Sequence, residues 1–407
     1  MFRSISALIL LLLAVRQQPA PHWVGTWATA PAGVAGTPER FRDETLRLIV
    51  RTSVGGPQVR IRISNTFGLE PLSIGAAHVA RRETDARIVA ATDRTVTFGG
   101  QSSVMVPPGG LVVSDAIAFE VAPLSELAVS LYLPVATVES TTHVTALQTN
   151  YVSRRGDHTA SVAFDTARTL TRWPFLSGVE AAGPEPSAAI VTLGDSITDG
   201  ANSTSDANRR WPDLLAARLQ ARPDLRHLAV LDQGIIGNRI LHPTETQFGN
   251  LFGPSAIERF DRDVLAQPGV RFLIVLIGIN DIGHPGSAAP LSDEVSADQI
   301  AGGYRQFVER ARARGIRVFG ATLLPFEDTT IANFYSPEKE AKRQAVNQWI
   351  RTSGAFDAVI DFDKAVRDPA RPSRMLPAYD GGDHLHPGDA GMAAMANAIP
   401  LELFKMK

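Results

Sequence analysis

The sequence predicts two domains. An antiparallel β-sandwich of jelly-roll type is expected over residues 22–180, and a three-layer α/β domain with a five-stranded parallel sheet over residues 188–407. Three observations point there. In the first half, runs alternate apolar and polar with period two, and Gly/Pro turns separate them. In the second half, β-branched apolar runs alternate with stretches of helical periodicity, the pattern of strands joined by crossover helices. The length, 407 residues, exceeds what one hydrophobic core usually serves.

Leu46–Arg51 and Val59–Ser64 carry the clearest period-two alternation, with Gly55-Gly56-Pro57 as a turn between them. Leu111–Val113, Ile117–Val121 and Leu127–Leu133 continue the strands, and Pro107-Pro108-Gly109-Gly110 punctuates them. Arg60 and Arg62 read as a solvated strand face. Trp23 and Trp27 have two readings, stacking on a sugar ring or filling a core or domain interface. Gly178–Ser187, with two prolines and two glycines, reads as the linker.

The second half opens on Ile190–Leu193, a buried strand that ends abruptly in Gly194-Asp195-Ser196. A helix follows at Trp211, where Trp211, Leu214, Leu215 and Leu219 share a face and Pro212 sits in the tolerant first turn. His227–Leu231 is a second strand. Arg271–Ile277, apolar after its first residue, is a central third. A helix over 296–314 stops at Gly315, and Ile316–Leu323 is the fourth strand. A helix over 337–352, a short strand at Ala358–Ile360 and a closing helix over 388–404 complete a flavodoxin-like order.

Composition narrows the function classes. The net charge of −2 gives no electrostatic footing for nucleic acid or an anionic membrane. The absence of cysteine excludes disulfides, thiolate metal sites and cysteine nucleophiles. Arg3 followed by the apolar run Ile5–Val15 reads as a secretory signal over residues 1–20, implying export and no stable membrane insertion after cleavage. The run is too short to span a bilayer.

Every informative polar cluster follows a strand of the second half or precedes its closing helix. Such strand ends are where ligands collect in open α/β sheets. Ser196 needs a base to take its proton and donors to hold an oxyanion. Asp383 and His386, three residues apart on one turn, supply an oriented imidazole. The N–H groups of Ser196 and Gly237 and the side-chain amide of Asn280 are candidate donors.

Gly194-Asp195-Ser196, Gly237, Gly278-Ile279-Asn280-Asp281 and Asp383-His384-Leu385-His386-Pro387 resemble, in order and spacing, the four blocks of the SGNH, or GDSL, hydrolases. The front region resembles that of large secreted members, with Trp23-Val24-Gly25-Thr26-Trp27 and Ser64-Asn65-Thr66-Phe67-Gly68. The resemblance implies Ser196 as nucleophile, His386 as base and Asp383 as its partner. It implies Ser196, Gly237 and Asn280 as the oxyanion hole, and an esterase needing no metal or other cofactor. Asp232-Gln233 departs from the family, which often has asparagine just before the glycine turn. Gly234 therefore stays open beside Gly237, which the motif and the following Asn238 favour.

Asp281–Gly286 repeats the Asp-x-x-His-Pro-Gly pattern of Asp383–Gly388. Only His386 leads into the closing helix, so His284 is read as a loop residue lining the pocket. The Asp380, Asp383, His384 and His386 cluster could instead hold a metal for phosphoester cleavage, but that leaves Ser196 and Asn280 without a role. A non-catalytic glycan-binding protein is the other rival. The expectation is a secreted serine hydrolase acting on short-chain esters of small molecules or carbohydrate, acetylated polysaccharide among them.

Overall fold

A computed structural model describes residues 21–34, 36–184, 186–243 and 250–405. The signal sequence expected over residues 1–20 lies outside the described residues.

Residues 22–183 form antiparallel sheets. In one, His22–Ala28, Leu176–Gly183, Gly56–Ser64 and Leu111–Val113 lie side by side, and Ile117–Val121 also pairs with Gly56–Ser64. In the other, Asn150–Arg155, Glu44–Arg51, Glu126–Leu133 and Ala76–Thr84 are neighbours. Alternate residues of both sheets, including Leu46, Leu48, Val50, Ile61, Ile63, Val129 and Val179, meet in one buried core. The outer face of Glu44–Arg51 is covered too. There Ile49 packs in a second cluster with Ala80, Ile88 and Tyr151. Arg47, fully buried, donates to Ser130 Oγ, Ala86 O, Ser161 O and Thr159 O.

The first part of the expected linker, Gly178–Gly183, is instead strand. Leu176–Gly183 runs between His22–Ala28 and Gly56–Ser64 and is buried along nearly its whole length. Its small residues carry little strand propensity, and tertiary pairing overrides that. Glu180 is buried there between Arg60 and Arg62. Those two arginines are thus partners of a buried carboxylate rather than a solvated face, and Arg60 also lies over the Trp23 ring. Trp27 packs edge-on against Trp173, with centroids 4.9 Å apart.

The second half holds a parallel sheet whose strands, in spatial order, are Leu228–Gly234, Ala188–Gly194, Val270–Leu276, Arg317–Ala321 and Ala358–Ile360. In chain order this is 2-1-3-4-5, the flavodoxin-like arrangement, with its switch point beside the first strand. All seven residues of Ala188–Gly194 are buried, as the apolar run required. The helices follow their local signals. Ser296 and Gln299 form a capping box ahead of Ala297–Arg312. Ser336 caps Pro337–Thr352, with Pro337 in the first turn. The closing helix is shorter than its apolar pattern suggested, Asp389–Ala398, followed by a separate turn Leu401–Phe404. Pro400 forces the break, because the residue before a proline is driven to extended backbone, and Ile399 sits at φ −78°, ψ 115°.

The two halves share a core. Val24, Ala28 and Val54 of the antiparallel half belong to the cluster that fills the parallel half. Gly25 sits where a Cβ would come within 2.7 Å of a Leu231 methyl, so a larger residue there would push the Leu231 side chain aside. No described helix is long and apolar enough to cross a membrane.

Candidate active site

Parallel pairing places Gly194 level with Gly234 on one side and Leu276 on the other. Ser196, Gly237 and Asn280 therefore lie two, three and four residues beyond one line across the sheet, at the switch point.

Ser196 starts a single helical turn, Ser196–Asp199. Asp195 caps it, accepting from Ile197 N at 3.0 Å. Gly200 ends it in the left-handed region at φ 94°. Backbone N–H groups of a first turn have no acceptor within the helix, so the turn presents the Ser196 hydroxyl and N–H together. Burial pushes the Asp195 carboxyl up to about 7, against the pull of the Ile197 N–H and His386.

The Ser196 hydroxyl donates to His386 Nε2 at 2.8 Å. His386 Nδ1 donates to Asp383 Oδ2 at 2.7 Å. The other Asp383 oxygen accepts from Leu385 N at 3.0 Å and His386 N at 2.8 Å. Burial alone would raise the Asp383 carboxyl, but its hydrogen bond to His386, the charge of that ring and the two N–H groups hold it well below the usual range. Asn202 adds a bond that the sequence did not signal, donating to Asp383 Oδ2 at 3.0 Å. Its amide is turned onto the partner of the candidate base.

The neighbouring turns are locked to the first. Ile235 N donates to Gly194 O at 3.2 Å. Arg259, buried with Asp263, donates to Gly194 O, Gln233 O and Asn238 Oδ1, each at 2.9 Å. Asn280 Nδ2 donates to Asn238 O at 3.1 Å, which leaves its second amide proton free to meet a ligand. Asp281 accepts from Ile240 N and Leu241 N, and burial pushes its carboxyl up to about 6 against those bonds. Gly234 gives its N–H to Asp232 Oδ1 at 2.9 Å. Gly237 stands at φ 68°, and a Cβ there would come within 2.3 Å of the Phe252 ring.

The repeated Asp-x-x-His pattern forms no second dyad. Asp281 faces the Ile240–Leu241 backbone, and the His284 ring packs against Phe252 and Phe334, with centroids 5.4 and 5.8 Å away. Burial, with Arg239 and Lys339 nearby, lowers the His284 pKa to about 3. Asp380 pairs with His384 while Asp383 serves His386. Among the described residues, no three His, Cys, Asp or Glu side chains converge in a metal-binding group.

This turn-by-turn arrangement coincides with a family signature. Residues 192–394 match the GDSL-like lipase/acylhydrolase family. The chain carries a GDSL-like acylhydrolase domain, and it is a carboxylic ester hydrolase. The matched span includes Ser196, Gly237, Asn280, Asp383 and His386. No curated protein sequence matches the chain. Among solved structures, a GDSL-like lipase from Bacteroides thetaiotaomicron is 20% identical, aligning over 54% of this chain and 88% of its own with a TM-score of 0.36. An acetylxylan esterase from Geobacillus stearothermophilus is 19% identical over 55% of this chain and 96% of its own, with a TM-score of 0.40.

Proposed function

We propose that this GDSL hydrolase is an exported serine esterase that removes short acyl groups, acetyl on carbohydrate among them. The observation that carries the reading is the unbroken series from the Ser196 hydroxyl through His386 to Asp383, with contacts of 2.8 and 2.7 Å. Ser196 Oγ attacks the ester carbonyl as His386 Nε2 takes its proton. The Ser196 and Gly237 N–H groups and the Asn280 amide hold the oxyanion. Gly237 is favoured over Gly234 because the Gly234 N–H is already given to Asp232. His386 then protonates the departing alcohol. It next deprotonates the water that releases the acid from Ser196.

Phe252 supports the preference for short acyl groups. Its ring lies against Gly237, and in this reading it bounds the acyl side of the oxyanion site. Export rests on the Ile5–Val15 apolar run behind Arg3. The test is a series of p-nitrophenyl esters from acetate through butyrate to octanoate, with acetate release from acetylated polysaccharide measured alongside. The reading expects kcat/KM to fall with acyl length. A rate that climbs towards octanoate contradicts it.

A further inference from the structure

Ties from the antiparallel half end on the catalytic turns. His143 closes the short strand Thr141–His143. Its Nε2 lies 2.9 Å from Asp199 Oδ1 and its Nδ1 lies 2.9 Å from Ala30 O. Both partners are acceptors, so the form that satisfies both bonds is the imidazolium. Burial pushes this ring's pKa down, but Asp199 and the Ala30 carbonyl outweigh it, and the net direction is up. The ring stacks on Trp173, with centroids 5.7 Å apart.

Asp199 is the last residue of the turn that begins at Ser196. Its second oxygen accepts from Ile236 N at 3.1 Å. Ile236 immediately precedes Gly237. One buried carboxylate therefore joins the nucleophile turn to the turn that carries the oxyanion donor. A lone buried carboxylate is costly, and His143 supplies the matching charge from the other half of the molecule. Arg210 adds a backbone contact, Nε to Asp199 O at 2.7 Å. The same segment holds the following loop: Gln148 and Thr149 donate to Asp206.

We propose that His143, from the antiparallel half, is a positioning residue for ester hydrolysis: through Asp199 it sets the Ile236–Gly237 turn as an oxyanion donor. This rests on the serine mechanism proposed above and on Gly237 as donor. It gives the antiparallel half a part in the site's geometry, beside any binding of substrate.

The test compares His143→Phe, which keeps a ring against Trp173 and removes both donors, with His143→Gln, whose amide nitrogen replaces Nε2. With p-nitrophenyl acetate, His143→Phe is expected to lose about 10- to 100-fold in kcat with KM within about twofold, the scale of a misplaced catalytic group. His143→Gln is expected to recover to within about fivefold of wild type. Should His143→Phe fail to fold, His143→Asn is read in its place, since its shorter amide does not reach Asp199. A folded His143→Phe or His143→Asn with wild-type kcat overturns the proposal, as does an equal loss in His143→Gln. Ser196→Ala in the same assay separates the two levels. If it is inactive while His143→Phe is unimpaired, only the positioning role fails. If Ser196→Ala keeps the wild-type rate, the serine mechanism fails and the positioning role with it.

Discussion

Asn202 Nδ2 lies 3.0 Å from Asp383 Oδ2, the same oxygen that accepts the hydrogen bond of His386 Nδ1. Asp383 is therefore held by four donors, three from its own turn and one from the loop behind Ser196. Asn202→Ala removes the one that links the two loops. The bond is exposed, so its loss should cost at most about 1 kcal/mol. We expect kcat/KM to fall by up to about fivefold, with KM little changed. Steady-state kinetics on p-nitrophenyl acetate check this, and an unchanged kcat would mean that Asp383 is held well enough by its own turn.

Asn280 has one amide proton on Asn238 O and one to offer. Asn280→Ala should lower kcat by about 10²- to 10³-fold, the usual cost of one oxyanion donor, with KM nearly constant. A loss confined to KM would assign Asn280 to substrate binding.

Phe252 gives a prediction about acyl length. Phe252→Ala should raise kcat/KM for butyrate and octanoate esters relative to acetate, because it clears the space beside Gly237. A selectivity profile identical to wild type would place the acyl chain elsewhere.

His284 gives a prediction about acid stability. Its folded-state pKa, about 3, lies below the ordinary 6.5. The unfolded chain therefore binds the proton more readily between those values. The stability that His284 contributes is present above pH 6.5 and is lost as pH falls towards 3. At pH 5 the loss is about 2 kcal/mol. Asp195 and Asp232, both pushed up to about 7 by burial, act in the opposite sense, so the comparison must be with a variant. The stability gap between wild type and His284→Gln should shrink by about 2 kcal/mol between pH 7 and pH 5. Urea midpoints at the two pH values measure it, and a constant gap would contradict the buried neutral ring.

Legibility followed range. The parallel sheet could be read because each strand carries its own apolar run, and Ser196, Gly237 and Asn280 lie within a few positions of the glycines at which the first three runs stop. Asp383 and His386 share one turn, so their pairing is local. The partners that hold the loops are remote in sequence. His143 and Asp199 are 56 residues apart, and Asn202 and Asp383 are 181 apart. No periodicity announces such pairs. Leu176–Gly183 was missed for a related reason. Its small residues and Glu180 become strand-like only between two neighbouring strands and two arginines.

The most direct measurement of the central claim is p-nitrophenyl acetate hydrolysis in EDTA by wild type, Ser196→Ala and His386→Ala, each shown to be folded. The account predicts a wild type indifferent to EDTA and a loss of about 10³-fold or more in kcat for each variant, as removal of a triad member produces. A Ser196→Ala protein that keeps its rate, or a wild type silenced by EDTA, would contradict it.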